Sequence, residues 1–246
     1  CNSISSSINT EENKSMIAGS YEQDQEDDSG SKNNEQEHEN KEQYEAPAVV
    51  VFQSLDQLNK FGSLNDSSFD EKKELLNIAL QNAPSAFNLQ HWRPLLIEDR
   101  AQREKIREAA WDQAQVTDAS MLVVLCGDLS SWETQVKNIW ADAAEPVQQY
   151  MIPAVDSYYR GKPQTQRDEI MRSAGIFAQT LMLAAKAQGY DSCPMDGFDF
   201  DAVGKIINKP EQYEICLMIA IGKGTSQPYP RIGKLPFEHI VKSDRF

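Results

Sequence analysis

Histidine is scarce in this chain. Its 246 residues include only His38, His91 and His239, which argues against a histidine-rich metal site and against a histidine-based catalytic triad. Basic charge is also in deficit: 24 Lys and Arg face 38 Asp and Glu, a net charge of −14. A surface of that sign repels nucleic acid, so none is expected as a partner. The four cysteines, Cys1, Cys126, Cys193 and Cys216, make no C-x-x-C and no paired spacing. Cys126 and Cys216 fall inside apolar runs, as buried reduced thiols do, which favours a reducing, cytoplasmic location. No transmembrane segment is expected, because the longest apolar runs, MLVVLC (Met121–Cys126) and ICLMIAIG (Ile215–Gly222), are strand-sized. There is no P-loop, no G-x-G-x-x-G, no H-E-x-x-H and no G-x-S-x-G.

What is present is divided unevenly. Residues 1–45 hold twelve Asp and Glu against three Lys, a net −9, with much Ser, Asn and Gln and few large apolar side chains. Such a segment cannot bury enough surface to offset its ordering entropy, so 1–45 reads as a disordered acidic tail or tether and 46–246 as the folded domain. The chain opens CNSISSSIN without an initiator methionine. That reads first as a truncation or alternative start; the alternative is a membrane-tethered lipoprotein anchored through Cys1.

The folded part alternates helices with a few strands. Ser68-x-x-Glu71 has the spacing of a capping box opening a helix that runs to Pro84. Arg93–Asp99 reads as a strand, 100–111 as a charged amphipathic helix, and Met121–Cys126 as a strand buried on both faces. Glu145–Tyr159 is helical, with Pro153 expected to kink it or to begin a new segment. In the helix Gln166–Gln188, Ile170, Ala174, Phe177, Leu181 and Ala184 line one side, while Met171, Gly175, Ala178, Met182 and Ala185 line another. A helix apolar on two sides belongs in a core or at a subunit interface. YDSCPMDGFD follows as a loop, then a short helix from Phe200 and the strand Ile215–Gly222. The fold class is α+β or α/β.

Two loops mix polar and large apolar residues: Pro84–Trp92, with Ser85, Asn88 and Gln90 between Phe87, Leu89 and Trp92, and Ser192–Phe198. Amides held among hydrophobes need partners from the protein or a ligand. With the C-terminal GKGTSQPYPRIGKLP they suit a flat heteroaromatic ring carrying a phosphate. Cys193 reads as a small buried residue at a loop entry rather than a nucleophile, His91 as structural, and the pairs Asp142/Glu145 and Asp199/Asp201 as helix-start carboxylates.

The blocks APSAFNLQHW, REAAWDQAQVTDASMLVVLC, MRSAGIFAQTLMLAAKAQGYDSCPMDGFD, IAIGKG and PRIGKLPFEHIV, in that order between about Phe69 and Phe246, resemble the FMN-dependent nitroreductase family. The resemblance implies an α+β fold with a central mixed β-sheet flanked by helices, and an intertwined homodimer with FMN at the subunit interface. It implies that Ser85, Phe87, Asn88 and Gln90 line the flavin. Pro194, Met195, Asp196 and Gly197 match the loop lying against the ring, where a backbone N–H reaches N5. Gln115 matches the position at the pyrimidine edge, with Asp112 a weaker neighbour. Arg231, then Lys234, match the C-terminal phosphate ligand. Relatives open with a basic motif that holds the phosphate; here Ser54–Asp66 offers only Lys60. The activity implied is transfer of hydride from NADH or NADPH through FMN to a small electron-poor acceptor such as a nitroaromatic, quinone or enal, with ping-pong kinetics and no side-chain acid or base. The alternative is a non-catalytic dimer of the same fold that binds flavin weakly or not at all; a specialised flavin reaction has no positive sign in the residues.

Overall fold

The computed structural model describes residues 69–225 and 232–246. The acidic segment 1–45, the capping serine at 68, Lys60 and Arg231 lie outside the described residues. In chain order the elements are α1 (Phe69–Asn82), a single 3-10 turn (Ala86–Asn88), β1 (Trp92–Ile97), α2 (Arg100–Ala109), α3 (Gln115–Asp118), β2 (Met121–Asp128), α4 (Ser131–Thr134), α5 (Val136–Ile139), α6 (Glu145–Tyr159), α7 (Pro163–Ala187), β3 (Asp191–Met195), α8 (Phe200–Ile206), β4 (Tyr213–Gly222) and α9 (Phe237–Ile240). No helix among the described residues is long and apolar enough to cross a membrane.

The strands form one sheet in the order β1-β2-β4-β3. Trp92 pairs with Gly127, Met121 with Ile221 and Met195 with Met218, and every pairing is antiparallel. The fold is thus α+β as expected, but its sheet among the described residues is antiparallel rather than mixed. Strand β2 is buried along all eight residues, and its period of two serves both faces. Met121, Val123 and Leu125 face α1 and α7, meeting Leu75, Ala174, Phe177 and Leu181. Leu122, Val124 and Cys126 face α2, α3 and α8, meeting Ile106, Val116 and Val203. Each such aliphatic side chain removed from water stabilises the fold by roughly 1.5–3 kcal/mol.

A third cluster, Leu89, Trp132, Val136, Val155 and Tyr159, joins α4, α5 and α6 to the loop before β1. Helix α6 runs on through Pro153 instead of ending there. The missing N–H leaves the Gln149 carbonyl without its helical partner, and Gln149 is exposed, so water can take that place. Helix α7 buries Ile170, Ala174, Phe177, Leu181 and Ala184. On its second side Ala178 and Ala185 are buried, but Gly175, Ile176 and Leu183 are exposed on the protomer.

Residues 191–195, read as loop from sequence, form β3. Its Pro194 is tolerated because β3 is an edge strand, where a missing ladder donor costs little. Cys193 therefore sits half-buried within a strand, pairing with Ala220, rather than buried at a loop entry. Burial pushes the Cys126 thiol up to about 11 and that of Cys216, half-buried in β4, up to about 12, so both stay protonated at neutral pH.

Candidate functional site

After α1, Pro84 and the extended Ser85 (φ −141°) lead into the 3-10 turn. Ser85 is used twice locally: its carbonyl accepts from Asn88 N at 3.0 Å and its Oγ accepts from Gln90 N at 2.9 Å. Phe87, Asn88 and Gln90 all have left-handed backbones, with φ of +53°, +55° and +48°. For Phe87 and Gln90 this conformation is costly, on the order of 1 kcal/mol or more each, and persists only where surroundings impose it. The surroundings are visible. Leu89 is fully buried in the third cluster, and the Phe87 ring meets Tyr158 and Tyr159 edge-on at 5.4 and 6.1 Å. Arg93 Nη1 donates to the carbonyls of Gln90 and Trp92, both at 2.8 Å. Its Nη2 pairs with Asp128 at 3.0 Å, and Asp128 in turn accepts from Ser130 N and Oγ.

The outcome is a loop sorted by side. Phe87 and Leu89 go inward, while Asn88 and Gln90 are exposed. The Asn88 amide makes no hydrogen bond among the described residues, and Gln90 Nε2 reaches only the Asn88 carbonyl, at 3.4 Å. Behind the loop His91 is 2% exposed, with Nε2 3.3 Å from Tyr159 Oη and Nδ1 3.3 Å from Ser173 Oγ. Burial lowers its pKa to about 4, so it is neutral at physiological pH, and its structural reading holds.

A second polar group forms where the turn after α2 meets the segment after β3. Gln115 Nε2 donates to Gln113 Oε1 at 3.1 Å, and Gln113 Nε2 donates to the Gly197 carbonyl at 2.7 Å. Asp199 N donates to the Ala109 carbonyl at 2.9 Å, and the Asp199 carboxylate caps α8 through Ala202 N. Gly197 leaves room for an indole, which the sequence did not show: a Cβ there would stand 2.9 Å from Trp111 Cζ3 and push the ring aside.

Of the expected ring-facing set, Asp196 and Pro194 are exposed, but Met195 is 4% exposed with its side chain in the core under α2 and α8. Only the Met195 backbone can therefore face a ligand. Asp112 is paired with Arg107 at 2.6 Å, which turns its carboxylate back toward α2. Lys234 lies in the exposed segment 232–246. Arg93, Trp111 and Gln113 were not anticipated; the Gln-x-Gln spacing of Gln113 and Gln115 was the one available signal for the last.

The structure brings Ser85, Phe87, Asn88 and Gln90 together, and separately Gln115 with Gly197. No hydrogen bond among the described residues links the two groups. The first precedes β1 and the second follows β3, and these are opposite edges of the sheet, three strand spacings or about 14 Å apart.

Against known proteins, the model of the nitroreductase family matches residues 65–223. Protein DrgA of Synechocystis is 47% identical over 156 residues, spanning 63% of this chain and 74% of that one. A protein of Thermus thermophilus named NADH dehydrogenase is 31% identical over 185 residues, 69% of this chain and 82% of that one. Among solved structures, a protein of Exiguobacterium sibiricum crystallised in complex with FMN superposes with a TM-score of 0.67 at 26% identity, covering 74% of this chain and 90% of that one.

Proposed function

Because the chain belongs to the nitroreductase family, we propose that it is an NAD(P)H oxidoreductase that holds FMN and reduces a small electron-poor acceptor such as a nitroaromatic, quinone or enal. When bound, FMN would supply the redox chemistry between NADH or NADPH and the acceptor. The observation that carries this reading is the strained loop 86–90, which presents the Asn88 and Gln90 amides outward from half-buried Phe87 and buried Leu89. Strain of that kind is retained where a preorganised polar surface is needed.

The residues present fit such a ligand. Asn88 and Gln90 offer donors and acceptors to a hydroxylated chain or ring oxygens, and the Ser85 hydroxyl fixes the Gln90 peptide behind them. Gln115 uses one amide hydrogen on Gln113, which leaves its Oε1 to accept from a ring N–H. Gln113 holds the Gly197 carbonyl and so orients the 196–197 peptides toward a ring edge. Lys234, with Arg231 and Lys60, supplies the positive charge for the phosphate. No side chain acts as acid or base, consistent with a neutral, buried His91.

Because the two polar groups sit at opposite sheet edges, the site is assembled from two copies, the loop 86–90 of one lying against Gly197 and Gln115 of the other. Homodimers are typical of the family. The surface is compatible with one here: Ile176 and Leu183 on α7 are 42% and 48% exposed, and Ile232, Leu235, Phe237, Ile240 and Phe246 are exposed along the C-terminal segment, apolar side chains that a second copy would cover.

Steady-state kinetics of the FMN-loaded protein test the activity. Varying NADH or NADPH at several fixed concentrations of a quinone should give parallel double-reciprocal lines, since donor and acceptor use one site in turn. Intersecting lines, or no turnover with either nucleotide, would overturn it.

A further inference from the structure

The second polar group contains a residue that neither the packing nor the polar network accounts for. Of the four tryptophans Trp111 alone stands mostly in solvent, 63% exposed, while Trp92 and Trp132 are in the core. Its backbone is left-handed (φ +51°), and so is that of Asp112 (+57°). Two successive residues of that kind in a surface turn call for Gly or Asn; an indole there is costly and exposed at once. The turn is nonetheless firmly held. Asp112 N donates to the Arg107 carbonyl at 3.0 Å, the Asp112 carboxylate accepts from Arg107 Nε at 2.6 Å, and Gln113 N donates to the Ala110 carbonyl at 3.2 Å. The ring joins neither core cluster flanking the sheet. Its edge lies instead against Gly197, where any side chain would displace it, two residues from the amide of Gln113.

Resting on the flavin reading above, we propose that Trp111 is a specificity-determining wall of the acceptor site, stacking a flat electron-poor ring and so favouring ring acceptors over compact ones. The indole is an electron-rich π surface, and a quinone or nitroaromatic is its complement. Offset stacking adds to the apolar area the pair removes from water. The strained turn fixes the indole before the acceptor arrives, so little ordering cost falls on binding. The empty side of Gly197 lets the indole come close to the peptide that faces the cofactor ring, which sets the wall at the rim of the reacting face.

The test compares FMN-loaded wild type, W111F and W111L, the last keeping apolar bulk against Gly197 without an aromatic face. The ratio of kcat/KM for 2-methyl-1,4-naphthoquinone to that for ferricyanide, a compact acceptor with nothing to stack, should fall about tenfold in W111L and stay within about threefold of wild type in W111F. Calorimetric titration with 2-naphthoate, a flat ring that the enzyme cannot reduce, should show the same pattern in Kd. A W111L enzyme that turns over with an unchanged ratio and Kd, or that loses both acceptors equally, overturns the inference and leaves the functional reading standing. A wild type that carries no flavin overturns the functional reading and this inference with it.

Discussion

Leu89 enters the cluster of Trp132, Val136, Val155 and Tyr159, while Asn88, one peptide away, faces outward without a partner among the described residues. Neighbours so placed should respond oppositely to truncation. L89A should lower stability by about 2–5 kcal/mol, because a fully buried leucine leaves a cavity, and urea unfolding would show it. N88A should leave the unfolding midpoint in place and weaken FMN binding by about tenfold, the worth of a hydrogen bond or so, read by flavin fluorescence titration. Reversed results would mean that the loop is built for folding alone. His91 adds a pH prediction at the same scale. Its pKa drops from 6.5 to about 4 on burial, so between those values the unfolded chain takes up a proton that the folded one refuses. The stability it contributes is present above pH 6.5 and is lost as pH falls toward 4, on the order of 3 kcal/mol over that window. Subtracting the urea stability of H91Q from that of wild type at each pH should isolate the decline; a flat difference would contradict the burial argument.

At the scale of elements, β2 against α7 is the contact that fixes the layers. Gly127 near the end of β2 has no room for a methyl group: a Cβ would fall 2.0 Å from Cγ2 of Ile170, which is 1% exposed and β-branched. G127A should therefore destabilise by about 1–3 kcal/mol through overpacking. The same change should cost less in an I170A background, where the obstructing methyl is gone; additive effects in that double-mutant cycle would count against it. Much of this layer was legible in sequence. The runs 121–126 and 215–222 announced buried strands, and the two apolar sides of 166–188 announced a central helix. What was not legible has physical reasons. Strand β3 is five residues with Asp, Ser and Pro, and only its pairing with β4 makes it a strand. Helices α3, α4, α5 and α9 are four residues each, a single turn that tertiary contacts decide and periodicity cannot show. Within the site, Asn88 and Gln90 stood out as amides among hydrophobes. The inward turn of Met195 depends on the strand's phase, and the exposure of Trp111 on three-dimensional neighbours, so neither left a mark in the sequence.

At the scale of the whole molecule, the proposed site shared between two copies accounts for both the separation of the two polar groups and the exposed apolar side chains. Placing a charge on the open side of α7 with I176R should shift the protein from dimer to monomer in sedimentation velocity and release flavin in the same step, because each site draws on both copies. A variant that is monomeric yet keeps its flavin would contradict a shared site. The central claim is that Asn88, Gln90, Gln115 and the Gly197 segment form an FMN site, and the visible absorption spectrum of the purified protein, recorded before and after adding FMN and desalting, tests it most directly. The account predicts that wild type keeps the flavin band through desalting and that N88A/Q90A loses it while remaining folded. A wild type that stays colourless after FMN is supplied would contradict it.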